Sequence, residues 1–211
     1  LQNPTTEGFT LIDLDSAALP SRALVGIQGG TGSFNDLALQ CFLHTQPGLQ
    51  VEPLYLYKSA AVVEALFDGR VDLGQMAISN TVGGSVAESV AALAGRSIKI
   101  VGRYSLAIEH CLMGLKTSSK EEMAEIVGHE QAIMQCSKWL NERGSGLLIT
   151  PGDGDAADPA YLADRLVNVA LPRTTAVIGS QALAAKFDLK IFESAIQDRT
   201  DNTTTFILFR Q

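Results

Sequence analysis

The chain lacks any apolar run of about eighteen residues, so no segment reads as a membrane-spanning helix. It also lacks the basic and then apolar N-terminal stretch of a secretion signal. Charge is sparse, at 18% of 211 residues, and basic residues are outnumbered 16 to 23, for a net charge of −7. That balance excludes an electrostatic footprint for nucleic acid or for an anionic membrane. Cysteine is scarce. The three, Cys41, Cys111 and Cys136, are odd in number and widely spaced, which argues against a disulfide framework. Each sits among apolar neighbours, so buried free thiols in a reducing cytoplasm are expected. His44, His110 and His129 show no metal-ligand spacing with cysteine or acidic residues, and no metal is expected. No Ser-His-Asp set, paired carboxylates or nucleophilic cysteine stands out.

What is present is a 46% hydrophobic chain, long enough for one or two domains with a real core. Residues 1–20 show little periodicity and read as an extension. From Ala23 the pattern becomes α/β. Apolar strand candidates lie at 23–27, 51–57, 71–78, 98–106, 108–115, 124–127, 147–149, 175–178 and 206–209. Helical stretches are expected from Phe34 to His44, Ser59 to Phe67, Ser85 to Leu93, Gln131 to Leu140, 158–168 and Gln181 to Lys186. Ser33, Ser59, Ser85 and Asp158 suit N-caps, with Pro159 in a first turn. Residues 151–155 read as a loop. Repeated strand–loop–helix units imply parallel sheets with helices on both faces, and ligands bound beyond the strands' carboxyl ends.

Four loops, Gly29–Ser33, Ser79–Ser85, Gly128–Gln131 and Gly179–Gln181, each follow a strand and open a helix, and are expected to gather on one side or to face each other across a cleft. Gly29-Gly-Thr-Gly-Ser33 suits either a tight turn or an anion site, because glycines admit close backbone approach and a helix N-terminus is positive. It matches neither the P-loop nor the dinucleotide spacing. Ser79-Asn-Thr-Val-Gly-Gly84 offers hydrogen-bonding groups without net charge. Gly128-His-Glu-Gln131 places His129, an acid, a base or a structural histidine, beside Gln131, which can orient a substrate but not move a proton. The terminal Asp201-Asn202 reads as a turn. Thr203-Thr-Thr205 then enters an apolar strand and gives it one polar end.

These segments, in order, resemble the prephenate dehydratase family. That family carries a glycine-rich G-P-x-G-T/S-F/Y-S segment, P-I-E-N-S-x-x-G-S-V, H-C-L, S-H-P-Q-A and a closing D-x-x-x-N-x-T-R-F. The counterparts here are Gly29-Gly-Thr-Gly-Ser-Phe-Asn35, Ala77-Ile-Ser-Asn-Thr-Val-Gly-Gly-Ser-Val86, His110-Cys-Leu112, Gly128-His-Glu-Gln-Ala132 and Asp198 to Phe206. The resemblance implies an α/β fold of two lobes, like a type II periplasmic binding protein, with a cleft between them. Residues 22–105 with 189–211 would form one lobe and 106–188 the other, after an extension over 1–21. It implies loss of CO2 and water from prephenate or arogenate, driven by aromatisation, without organic cofactor or metal. The substrate is then a small carboxylate, and the protein a homodimer or larger. No ACT regulatory domain is expected. By motif, Thr204 would protonate the departing hydroxyl, with Asn80 and Gln131 binding polar groups of the substrate. Ser33, Thr81, Gly84, Ser85, His129, Thr205 and Phe206 would line the site.

The departures from the motifs cluster at the same segments. Thr205 stands where the motif has arginine, which removes a cation and a bidentate carboxylate fork. Ser79 replaces the motif acid, Ala77 its proline, and Gly128 and Glu130 the serine and proline of S-H-P-Q. On this reading Thr205→Arg strengthens prephenate binding. Two other functions fit the residues: a decarboxylase that retains the hydroxyl, and a non-catalytic binder of small carboxylates.

Overall fold

A computed structural model describes residues 8–152 and 158–211. Residues 1–7 of the expected extension and 153–155 of the expected loop lie outside the described residues. The chain divides into two compact units. The first takes Leu1–Gly30, Phe34–Ala107 and Asp201–Gln211, and the second Thr31–Ser33 and Ile108–Thr200. Among the described residues no helix is long and apolar enough to cross a membrane.

The first unit holds strands β1 (Phe9–Leu14), β2 (Arg22–Ile27), β3 (Gln50–Tyr55), β4 (Leu73–Asn80), β5 (Gly84–Ser85), β6 (Lys99–Ala107) and β12 (Thr203–Arg210), numbered in chain order. They run β1-β6-β12-β4-β2-β3, with β5 paired to β4. Helices α1 (Phe34–Thr45), α2 (Ser59–Phe67) and α3 (Ala87–Leu93) complete it. β12 shows why this sheet is buried on both faces. Phe206 and Leu208 pack with Leu39 and Phe42 of α1 and with Tyr104, while Ile207 and Phe209 pack with Val62, Val63 and Leu66 of α2. Alternate residues of a strand face opposite ways, so four consecutive apolar side chains fill two cores. Each such burial contributes about 1.5–3 kcal/mol.

The sheet is mixed rather than parallel. β2 pairs in parallel with β3 and β4, but β12 is antiparallel to both β4 and β6, and β1 is antiparallel to β6. β1 corrects the reading of residues 1–20 as an extension outside the fold. It is an edge strand whose four central residues are exposed, and a register shift between Leu11 and Asp13 breaks the alternation of its apolar residues, so no period-two pattern announces it. Helix starts differ too. Lys58 and Val86 hold the N-cap positions of α2 and α3 without a side-chain cap. Ser59 is the first residue of α2. Its N–H donates to Glu88 Oε1 at 2.7 Å and its Oγ meets Ser89 Oγ at 2.9 Å, so α3 supplies the cap from across the fold.

The second unit holds β7 (Cys111–Gly114), β8 (Glu125–His129), β9 (Leu148–Gly152), β10 (Thr175–Gly179) and β11 (Lys190–Glu193), in the order β11-β7-β10-β8-β9. Its helices are α4 (Glu130–Gln135), α5 (Ser137–Arg143), α6 (Pro159–Val167) and α7 (Gln181–Lys186). β11 has no counterpart among the strands read from sequence, being four residues long and only half-buried. Asp158 caps α6, accepting from Ala160 N at 2.8 Å, with Pro159 following as expected. The single helix expected over 131–140 breaks at Cys136 into α4 and α5. Asp198 makes the second start possible: it accepts from Lys138 N at 3.0 Å and from Ser137 Oγ at 2.8 Å. The same segment is tied to buried His110. The His110 N–H donates to Gln197 Oε1 at 2.9 Å, its carbonyl accepts from Ile196 N at 3.0 Å, and its ring Nε2 lies 2.9 Å from Gln135 Oε1. Burial, opposed by the Gln135 contact and reinforced by the nearby His129, holds the His110 pKa below its ordinary value.

Two outcomes follow from this packing. In each sheet a glycine lies under an aromatic ring: a Cβ on Gly74 would sit 2.5 Å from Phe209 Cζ, and one on Gly114 2.5 Å from Phe192 Cε2. Gly74→Ala or Gly114→Ala is expected to cost about 1–3 kcal/mol in urea denaturation, through overpacking. Gly48→Ala, where nothing lies within 4 Å, serves as the neutral control. The lowered His110 pKa means that the unfolded chain takes up a proton before the folded one does. Stability is therefore full above the ordinary value of 6.5 and falls as pH drops below it toward the folded pKa. The slope is at most about 1.4 kcal/mol per pH unit, that of one proton. Urea midpoints measured from pH 7.5 downward should show it, and His110→Gln should flatten it.

Candidate active site

The densest set of predicted site residues lies where β12 enters the first unit. Register places Thr204 opposite Asn80, and Asn80 opposite Gly84. The segment read as a loop over 79–84 is half strand. Ser79 and Asn80 end β4, only 81–83 turn, and Gly84 and Ser85 return as β5. β4 persists that far because β12 and β5 pair with it on either side and satisfy its backbone groups. Gly84 is required by the turn, with a φ of +73°.

Asn80 is half-buried and makes four hydrogen bonds. Its Nδ2 donates to Asn202 Oδ1 at 2.7 Å and to Thr204 Oγ1 at 2.9 Å. Its Oδ1 accepts from Val82 N at 2.8 Å and Gly83 N at 2.9 Å, which forms the turn. Both hydrogens of the amide and both lone pairs of its oxygen are thus engaged. Thr204, 9% exposed, therefore has a hydroxyl oxygen already accepting one bond, and its own hydrogen is free to point at another acceptor. Accepting a bond polarises a hydroxyl and strengthens it as a donor. Thr81 closes the corner: its N–H donates to Thr203 O at 2.9 Å, and its Oγ1 accepts from Thr203 N at 2.9 Å and donates to Asp201 O at 2.8 Å. Asn202, read from sequence as half of a turn, is 1% exposed and belongs to this network. Asparagine is common in turns, and that obscured it.

Thr205 is not brought to Thr204. It follows Thr204 on β12, whose register with β6 is unbroken from Thr203 to Leu208, so alternation places it on the other face, that of Ile207. There it pairs across strands with Ser79 on β4 and Ser105 on β6, and Ser79 pairs with Ser85. The two departures that remove an acid and a base from the motifs are therefore direct cross-strand partners. Phe206 is core, 1% exposed, on the Thr204 face.

In the second unit His129 is the N-cap of α4, with Nδ1 accepting from Gln131 N at 3.1 Å. Neutral His129 consequently carries its proton on Nε2. His129 and Gln131 are both exposed. Gly32 has a φ of +76°, accepts from Ser180 Oγ at 2.7 Å, and would place a Cβ 3.1 Å from the Leu183 backbone. Its glycine is needed for packing onto α7, which accounts for one residue of the glycine-rich loop without a ligand. Ser33 beside it is half-buried.

The prephenate dehydratase family model matches residues 25–211. Arogenate dehydratase 2 of Petunia hybrida is 29% identical over 207 residues, 98% of this chain and 50% of that protein. The prephenate dehydratase of Methanocaldococcus jannaschii is 32% identical over 143 residues, 66% of this chain and 49% of its own. The solved prephenate dehydratase of Arthrobacter aurescens, in complex with L-Phe, aligns with a TM-score of 0.76 at 24% identity. It covers 89% of this chain and 60% of that one, a likeness of fold. The chain spans about half the length of the curated relatives it matches. The family match runs through both units and through the Asn80 and Thr204 strands alike. This chain belongs to the prephenate dehydratase family.

Proposed function

We propose that this chain is a carbon–oxygen lyase that converts prephenate to phenylpyruvate, or arogenate to phenylalanine, with release of CO2 and water. The observation that carries the reading is the Thr204 hydroxyl, which accepts from Asn80 Nδ2 at 2.9 Å and keeps its own hydrogen for another acceptor. As the ring carboxylate leaves as CO2, its electron pair enters the ring and expels the ring hydroxyl, which needs one proton to depart as water. A threonine hydroxyl is a weak acid in water, but a preorganised donor aimed at developing charge lowers the barrier without free ionisation. The residues invoked need neither metal nor organic cofactor for this step. Both units count as one catalytic domain on this reading, since the family match spans them. Gln131 and His129 are the second unit's candidates for the substrate's polar groups, with Ser33 of the same unit. Thr81, Gly84, Ser85 and Phe206 shape the corner around Asn80 and Thr204.

Thr205 and Ser79 take a different role in this proposal. Their register supports an exchange of an opposite-charge pair for two hydroxyls, on the face away from Thr204. The missing arginine then says little about substrate charge. The three cysteines, buried thiols that form no disulfide among the described residues, support a reducing compartment, and the cytoplasm is the one proposed. A homodimer or larger assembly is also proposed. The edge strand β1, with Leu11 37% and Ile12 51% exposed, supports it, and sedimentation would measure it.

Purified protein incubated with prephenate, and separately with arogenate, is expected to yield phenylpyruvate or phenylalanine by absorbance and mass spectrometry. Loss of CO2 with the hydroxyl retained, or no product from either, would overturn the assignment. Thr204→Ala should lower kcat by about 10²–10³, as removal of one preorganised donor does, with substrate affinity little changed. Thr204→Ser, which keeps the hydroxyl, should retain most of the activity. A double-mutant cycle of Ser79→Glu and Thr205→Arg should show the charges stabilising each other by about 0.2–1 kcal/mol in thermal unfolding. Tighter prephenate binding by Thr205→Arg alone would instead restore the arginine-clamp reading.

A further inference from the structure

We infer that Asn202 is a positioning residue that directs the Thr204 hydroxyl through the side chain of Asn80. The inference rests on the lyase reading above and adds a residue to it. Asn202 is 1% exposed, and an amide so deeply buried is destabilising unless its hydrogen bonds are made. One of those bonds is short: Asn202 Oδ1 accepts from Asn80 Nδ2 at 2.7 Å. The same nitrogen gives its second hydrogen to Thr204 Oγ1 at 2.9 Å.

The consequence is directional. Asn80 cannot turn its amide over. Flipping it would face its oxygen toward Asn202 Oδ1 and its nitrogen toward the N–H groups of Val82 and Gly83, which now donate at 2.8 and 2.9 Å. Nor can it rotate freely, because one hydrogen is held by Asn202 and the other is thereby aimed at Thr204. Thr204 always meets a donor on that side, so its oxygen accepts and its hydrogen turns elsewhere. Asn202 is itself held by its chain neighbours. Thr81 Oγ1 donates to Asp201 O at 2.8 Å and accepts from Thr203 N at 2.9 Å, which clamps the backbone before and after it. Asn80, Thr81, Asn202 and Thr204, from two distant parts of the sequence, thus turn the Thr204 hydrogen away from Asn80.

The test compares Asn202→Ala, which removes the acceptor, with Asn202→Asp, which keeps an oxygen at the same place. Asn202→Ala is expected to lower kcat by about ten- to a hundredfold, the scale of a misplaced reacting group, with KM changed less than about threefold. Asn202→Asp should lower kcat less than Asn202→Ala does at neutral pH, because the acceptor for Asn80 Nδ2 is kept. It should also add an acid limb to the kcat profile, because the protonated carboxyl becomes a donor and competes with the Asn80 bond. A residue that merely fills the fold would change melting temperature but would not add such a limb. Should Asn202→Ala fail to fold, the Asn202→Asp profile decides. An unchanged kcat in Asn202→Ala, or an unaltered pH profile in Asn202→Asp, overturns the role while leaving the lyase assignment standing. Wild-type protein that turns over neither prephenate nor arogenate overturns the lyase assignment and this role with it.

Discussion

The pairing of β12 between β4 and β6 is the interaction on which the first unit depends. β12 is the last strand of the chain, yet it occupies the interior of a seven-stranded sheet, hydrogen-bonded on both edges. Without it β4 and β6 would each expose a row of unpaired backbone groups. Two hydrophobic clusters would also lose their shared wall, since Phe206 and Leu208 serve one and Ile207 and Phe209 the other. Such contacts of long sequence separation carry a loop-closure cost that must be met before they reward folding. The density of apolar side chains in β12 offsets that cost.

The polar corner is a by-product of the same pairing. Once the apolar half of β12 is fixed in register, Thr204 falls beside Asn80 and Asn202 is drawn inside. A buried amide pair is costly if incomplete and rigid if complete. Here the bonds that hold Asn80 also shape the turn over 81–83, so structure and site share one set of contacts. Rigidity at this place suits the proposed chemistry, which depends on the direction of one hydroxyl rather than on a charged acid.

The second unit is organised by different means. Asp198, His110 and Gln135 hold together the segment that leads from β11 toward β12 and the break between α4 and α5. The closing motif is thereby anchored at both ends, by Asp198 here and by Thr204 in the first unit. Its spacing in sequence reflects two attachments rather than one continuous element.

Much of this was legible in the chain itself. The strands β2, β4, β8 and β10 and the helices α1, α6 and α7 announce themselves because local periodicity and capping residues act within a few positions. The ordered motifs around Asn80, Gln131 and Thr204 pointed to the family, and the family match agrees. The sequence could not reveal β1, whose apolar residues do not alternate because its register shifts between Leu11 and Asp13, or the antiparallel placement of β12, which is a choice among distant partners. It could not show that Ser79 and Thr205 are neighbours, that Glu88 caps α2 from another helix, or that Asn202 lies inside. Local residues determine which segments become strands and helices, because turns, caps and alternation are short-range effects. Only the tertiary structure decides which hydroxyl faces which amide, because strand register is settled by burial across the whole sheet.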